Sequence, residues 1–355
     1  MNALAPLYQW YNQYKRELPW RQTNDPYLIW LSEVILQQTR VEQGLPYYLK
    51  FSEAFKDIEQ LARAPEEKVM KMWQGLGYYS RATNMMQTAK LVVEMHQGKF
   101  PSDYASLIQL KGIGPYTAAA ISSFASNEAH AVVDGNVYRV LSRLFNIKEP
   151  INSHNGKKLF ARIANEVLNK KNPATHNQAM MELGALICKP QKPDCENCPL
   201  RLQCISYQEG NHLQLPIKNP KKKPVMRYLN FIVADAVNFT ILQKRSGKGI
   251  WHNLYEPPSI ESTSIIDNKI LMAEINKLAL FKTKKPIRLN KVYECKHQLT
   301  HQTIYAVFWV VACKASSLQT KPPYVKAGWK DISKFAVHRL FDKFLKYYNL
   351  QQQLT

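Results

Sequence analysis

The chain has 355 residues, 45% of them hydrophobic, so it can bury a sizeable core, and its length favours two domains over one. Its formal net charge of +21 points to a polyanionic partner such as nucleic acid, because basic side chains that neutralise phosphates release counterions. The N-terminal stretch carries Lys15, Arg16 and Glu17 with no apolar export segment, and no run approaches the roughly 18 apolar residues of a membrane span, so a protein working in the cytoplasm is expected and a membrane partner is not.

Up to about residue 205, helix follows helix. Asp25-Pro26 supplies an N-cap and a first-turn proline, after which Tyr27 to Thr39 runs without a breaker. Further helices are predicted near 66–73, 80–96, 115–125, 136–146, 157–169 and 173–187, separated by turn signals at Gly75, Gly98-Lys99-Phe100-Pro101 and Gly112-Ile113-Gly114. Residues 1–208 are therefore expected to form an all-α domain. From 209 to 225 the chain turns polar, basic and proline-bearing, as an exposed connector does. Beyond it, β-branched and aromatic runs at Tyr228–Ala234, Phe239–Gln243 and Thr303–Ala312 alternate with helical patterns near 265–280 and 333–348, so 226–355 is expected to be an α+β domain. The charge surplus lies mostly there: residues 1–210 hold 24 basic and 19 acidic side chains, residues 211–355 hold 24 and 8.

Four features carry chemistry. Glu33 stands among Ile29, Trp30, Val34 and Leu36, so its carboxyl is expected to be desolvated, with a pKa raised toward the range of a general acid at neutrality. In Lys111-Gly112-Ile113-Gly114-Pro115 a tight glycine turn precedes a helix start, an arrangement whose outward amides can seat one DNA phosphate. Asp134 ends the apolar run Ala129 to Val133 and precedes a helix, at the expected rim of a cleft; paired with Glu33 it gives the two carboxylates that glycosidic cleavage uses. Finally Cys188, Cys195, Cys198 and Cys204 fall within seventeen residues, among Pro190, Pro193 and Pro199, and can converge on one soft metal centre. Cys295 and Cys313 lie outside that group, in strand-like runs, and are expected to be core thiols.

The cysteine spacing resembles the [4Fe-4S] loop of the endonuclease III family. Together with Leu18-Pro19-Trp20-Arg21, Ser32 to Thr39, Gly75 to Arg81, Val133-Asp134-Gly135-Asn136-Val137 and Asn177-Gln178-Ala179-Met180, it resembles a MutY-type adenine DNA glycosylase of the helix-hairpin-helix superfamily. That resemblance implies a monomeric enzyme of base excision repair, associated with the nucleoid in use, which acts on double-stranded DNA holding adenine opposite 8-oxoguanine or guanine. It implies that Glu33 protonates N7 of an extruded adenine, Asp134 supports the positive charge developing on the sugar, and Tyr116 and Asn136 assist at the sugar and the attacking water. Leu18, Arg21, Leu36 and Gln178 would line the adenine pocket. Gln38 and Tyr78 would wedge into the duplex, whose extruded base needs its stacking replaced.

Bifunctional relatives carry lysine where Tyr116 stands, because a Schiff base needs an amine; tyrosine cannot form one. The second domain resembles a Nudix module, with Trp251 to Pro258 as its loop signature but without the glutamate-rich helix that binds Mg²⁺, so nucleotide hydrolysis is not expected. Its lesion-reading turn would be Leu299-Thr300-His301, where relatives usually show Phe-Ser-His. The rival readings are an endonuclease III-type pyrimidine glycosylase with lyase activity and a DNA-binding scaffold without catalysis.

Overall fold

The computed structural model describes residues 4–220, 223–247, 249–282 and 288–353; Lys221 and Lys222 of the expected connector lie outside the described residues. The chain divides into two compact units, residues 1–63 with 84–221 and residues 64–83 with 222–355. A segment from the middle of the helical sequence thus belongs with the strands.

The first unit is helical. Its helix Pro26–Leu36 begins where the Asp25 carboxylate accepts from the Tyr27 N–H at 2.9 Å, and it buries nearly every side, including Ile29, Trp30, Leu31, Glu33 and Ile35. It stops at Leu36 rather than running to Thr39, because Gln38 takes a left-handed φ of 57° that no helix accommodates. Helices Pro115–Ser126, Gly135–Leu144, His154–Val167 and Pro173–Leu186 lie within one to three residues of their predicted limits. The sequence reading passed over Ala5–Tyr14, Ile58–Arg63 and Val41–Ala54, the last of which carries Pro46 in its interior. The core joins Leu7, Trp10 and Tyr11 to Val137, Leu141, Phe160, Met180 and Leu183, so the N-terminal helix packs against the two helices that follow Asp134 and Asn172.

The second unit contains strands β1 (Val225–Asp235), β2 (Phe239–Lys244), β3 (Tyr255–Glu256), β4 (Ser259–Ser262), β5 (Asn290–Gln298), β6 (Gln302–Ala312) and β7 (Tyr324–Gly328). They form a sheet of order β4-β1-β6-β5 and a second of order β3-β2-β7. Strands β1 and β6 pair in parallel along their full length, from Val225 opposite Gln302 to Asp235 opposite Ala312. Period-two alternation gives this sheet two apolar faces. On one, Phe231 and Phe308 stack at 4.7 Å, and Phe344 of the helix Arg339–Gln353 stacks on Phe308 at 4.6 Å. On the other, Ile232, Val307, Trp309 and Val311 meet Leu271 and Ile275 of the helix Asn268–Lys277. Both helices are displaced from their predicted spans. The first waits for Asp267 to cap Ile270, and the second follows a separate turn at Ile332–Lys334. Cys295, on β5, and Cys313, just past β6, are both half-buried; Cys313 packs against the core as expected of it, and Cys295 is not part of that core.

The helix Glu66–Trp73 is fixed to these strands. Its Glu67 accepts from the Tyr255 hydroxyl at 3.1 Å, and Lys71 donates to the Phe335 carbonyl at 3.1 Å.

Candidate active site

A cleft of 1130 Å³ opens in the helical unit, lined by Leu18, Arg21, Glu33, Leu36, Gln38, Tyr116, Asp134, Asn136 and Gln178. Nine residues singled out from the sequence thus share one cavity, although they come from five separated stretches of chain.

Glu33 is 8% exposed, on the helix Pro26–Leu36. Burial pushes its carboxyl up to about 7; the hydrogen bond with Tyr116 works against that rise, and the negative charge of Asp134 adds to it. Tyr116 stands in the first turn of Pro115–Ser126, and burial, reinforced by the charges of Glu33 and Asp134, holds its phenol well above the usual tyrosine range. Asp134 caps Gly135–Leu144: Oδ1 accepts from the Val137 N–H at 2.7 Å and Oδ2 from Asn136 Nδ2 at 2.8 Å. Burial raises the Asp134 carboxyl from its ordinary value, and these hydrogen bonds with the Arg139 charge oppose the rise by favouring the ionised form. Asp134 is therefore itself the helix cap.

The loop before Asp134 is held by Asn177, whose Oδ1 accepts from the Val132 N–H at 3.0 Å while Nδ2 donates to the His130 carbonyl at 2.8 Å. The adjacent Gln178 accepts a short hydrogen bond from the Tyr11 hydroxyl. Two further residues of the cleft escaped the sequence reading. Glu182 is fully buried and pairs with Arg21 Nη2 and Arg16 Nη2, each at 2.7 Å. Burial alone would raise its carboxyl, but the two guanidiniums win and bring it down to about 2.

The glycine turn does not line the cleft. Gly112 has φ 86°, Lys111, Gly112 and Gly114 are exposed, and Gly114 caps the helix that bears Tyr116. In the strand-bearing unit, Leu299, Thr300 and His301 form the tip between β5 and β6, closed by the Leu299 N–H to the Gln302 carbonyl at 2.8 Å. Tyr78, 48% exposed at φ 45°, brings its hydroxyl to 3.0 Å from Thr300 Oγ1.

Cys188, Cys195, Cys198 and Cys204 line one small cavity of 30 Å³ with Arg143, whose Nη1 lies 3.4 Å from Cys188 Sγ. Among the described residues, no three His, Cys, Asp or Glu side chains are grouped so as to hold a single metal ion. The four thiols nevertheless converge: Cys195, Cys198 and Cys204 are each raised by burial and further by the charge of Cys188.

Residues 31–170 match the HhH-GPD superfamily of base excision DNA repair proteins. The structure of a thermostable thymine-DNA glycosylase superposes with a TM-score of 0.54 at 28% identity, covering 58% of this chain and 95% of that one. Fold and site define a helix-hairpin-helix DNA glycosylase. Residues 230–347 match the NUDIX domain family. The adenine DNA glycosylase of Buchnera aphidicola subsp. Baizongia pistaciae is 37% identical over 314 residues, 87% of this chain and 86% of that one, and the mouse adenine DNA glycosylase is 30% identical over 405 residues, 98% and 78%. The chain belongs to the adenine DNA glycosylase family. Among the described residues no helix is long and apolar enough to cross a membrane.

Proposed function

We propose that this enzyme hydrolyses the N-glycosidic bond of adenine placed opposite 8-oxoguanine or guanine in double-stranded DNA, stopping at the abasic site. The observation that carries the reading is Glu33, a buried carboxyl brought to about 7 in the same cleft as Asp134, with a phenol rather than an amine beside it. Leu18, Leu36 and Gln178 would receive the extruded adenine, with Arg21 held as a wall by Glu182. Glu33, protonated near neutrality, delivers its proton to N7 and makes the base a better leaving group. Positive charge then grows on the sugar, where Asp134 opposes it; the hydrogen bonds from Val137 and Asn136 favour the ionised carboxylate this requires. Asn136 and Tyr116 would orient the attacking water. Tyr116 keeps its proton and has no amine with which to attack the sugar, which argues against the lyase reading.

The four converging thiols fit a [4Fe-4S] cluster held by Cys188, Cys195, Cys198 and Cys204. Bound there, the cluster would brace the loop that presents Lys189, Lys192 and Arg201 to phosphates. The turn at Lys111, Gly112 and Gly114 would seat a backbone phosphate, Gln38 and Tyr78 would fill the space left by the extruded base, and Leu299, Thr300 and His301 would read the opposite purine. The parts fit a monomer acting on DNA inside the cell. To test this, purified protein is incubated with duplexes holding adenine opposite 8-oxoguanine, guanine or thymine, and base loss is scored before and after alkali. Loss from the first two, with scission only after alkali, supports the reading; no adenine release, or scission without alkali, overturns it.

A further inference from the structure

The helix Glu66–Trp73 packs among strands far from it in sequence, and Glu66, in its first turn, uses both carboxylate oxygens to stay there. Oε1 accepts a short hydrogen bond from the Asn253 side-chain amide, and Oε2 pairs with Lys244 Nζ at 3.4 Å. Neither partner is loose. Lys244 ends β2, and Asn253, at a left-handed φ of 65°, is pinned by its N–H to the Arg245 carbonyl at 2.9 Å.

The other end of this helix runs directly into the loop Gly75–Tyr79. Trp73 Nε1 and Arg81 Nη2 both donate to the Gly77 carbonyl, at 3.0 Å and 3.2 Å, and the Arg81 guanidinium lies 5.0 Å from the Trp73 ring and 5.8 Å from the Tyr78 ring. Gly75 and Gly77 take positive φ freely, whereas Tyr78, at φ 45°, holds a backbone that a residue with a Cβ keeps only where its surroundings over-determine it. The far side of the loop reaches the β5–β6 tip through the Tyr78 and Thr300 hydroxyls. The helix and loop are therefore tied to the strands at both ends, with Glu66 sharing the first-turn tie with Glu67, which accepts from the Tyr255 hydroxyl.

We propose that Glu66 is a positioning residue for opposite-base discrimination: clamped by Asn253 and Lys244, it sets the helix that aims Tyr78, so that Tyr78 and Thr300 are presented together. The inference rests on the reading of those two residues as facing DNA.

The test uses the full-length protein. Single-turnover excision of adenine is measured opposite 8-oxoguanine and opposite guanine for the wild type, Glu66→Ala and Glu66→Gln, alone and with Tyr78→Ala. Glu66→Ala should cut the preference for 8-oxoguanine about five-fold, while Glu66→Gln, whose one amide oxygen can still accept from Asn253 although the Lys244 ion pair is lost, should lose less, about two-fold. With Tyr78→Ala present, Glu66→Ala should change the preference no further. Amide hydrogen exchange on the free proteins gives a readout that needs no substrate: residues 75–79 should exchange faster in Glu66→Ala, with residues 26–36 unchanged. Unaltered exchange at 75–79, or an equal loss of preference in the Tyr78→Ala background, overturns the proposal. A wild type that releases no adenine refutes the functional reading instead, and the exchange result still decides the role of Glu66.

Discussion

Arg139 donates to Asn136 Oδ1 at 2.8 Å, and the same guanidinium donates through Nε to the Cys188 carbonyl at 2.6 Å. Asn136 in turn donates to Asp134, so one buried side chain ties the cysteine loop to the carboxylate in the cleft. Arg139→Met keeps the apolar stem and removes every donor. Displacement of Asn136 should lower the single-turnover rate by about 10- to 100-fold with little change in affinity for a duplex, since small misplacement costs chemistry before docking. Rates and dissociation constants measured side by side check this.

Glu33 makes two predictions with one sign. As a general acid it works only when protonated, so excision should fall about ten-fold per pH unit above the value near 7. Glu33→Gln should abolish release and leave mismatch binding nearly intact. The same shift bears on stability: the folded protein holds this proton more tightly than the unfolded chain, so the wild type loses about 3 kcal/mol as pH rises from near 4.5 through 7. Glu33→Gln lacks that penalty, and urea melts should find it the more stable protein at pH 8 but not at pH 4.

Tyr116→Phe isolates the hydrogen bond that holds the Glu33 carboxyl down. Without it the Glu33 value should climb, moving the alkaline limb of the rate profile to higher pH. The wild-type product should remain an abasic site until alkali is added, whereas Tyr116→Lys gains an amine and with it weak scission. Profiles over pH 5 to 9, read on denaturing gels with and without alkali, decide both points.

Much of the site was legible because its signals are local. Glu33 sits one helical turn from its apolar neighbours, Asp134 meets its capped N–H three residues on, and the cysteines crowd one short loop. What escaped depends on contacts between distant parts of the chain. Glu182 lies in an apolar helix with nothing in sequence to announce Arg16 and Arg21, more than 160 residues away. The helix Glu66–Trp73 was read correctly as a helix, but Asn253, Lys244 and Tyr255 assign it to the strand-bearing unit, and no periodicity carries that. Strand β5 was legible only as a strand-like run around Cys295, without limits, because its exposed Lys291, Glu294 and Lys296 dilute the apolar alternation.

Glu182→Gln should destabilise the fold by about 3 kcal/mol at pH 7, because it leaves two guanidiniums beside a neutral buried amide. The folded carboxyl sits near 2, below its unfolded value of 4.5, so the stabilisation is complete above the unfolded value and is lost as pH falls toward 2. Denaturation at pH 7 and pH 3 should show the gap between variant and wild type closing at the lower pH. Adenine affinity should weaken as well, since Arg21 loses its anchor.

The turn Leu299-Thr300-His301 is the remaining test of how the opposite base is read. Removing everything beyond Pro220 would not isolate it, because the cut also takes away Asn253, Lys244 and Tyr255 and frees the helix that precedes Tyr78. Point variants avoid that. Thr300 and His301 are exposed at the tip, so Thr300→Ala with His301→Ala removes a hydroxyl and an imidazole without disturbing a core. Two lost hydrogen bonds of about 1 kcal/mol each should cut the preference for 8-oxoguanine over guanine by roughly 10- to 30-fold. Thr300→Ser keeps the oxygen that faces the Tyr78 hydroxyl and should retain most of the preference. Neutralising basic residues elsewhere on this unit should instead weaken binding to every duplex and flatten its salt dependence. Single-turnover rates on both mispairs that leave the ratio intact in the double variant would show that the opposite purine is read elsewhere.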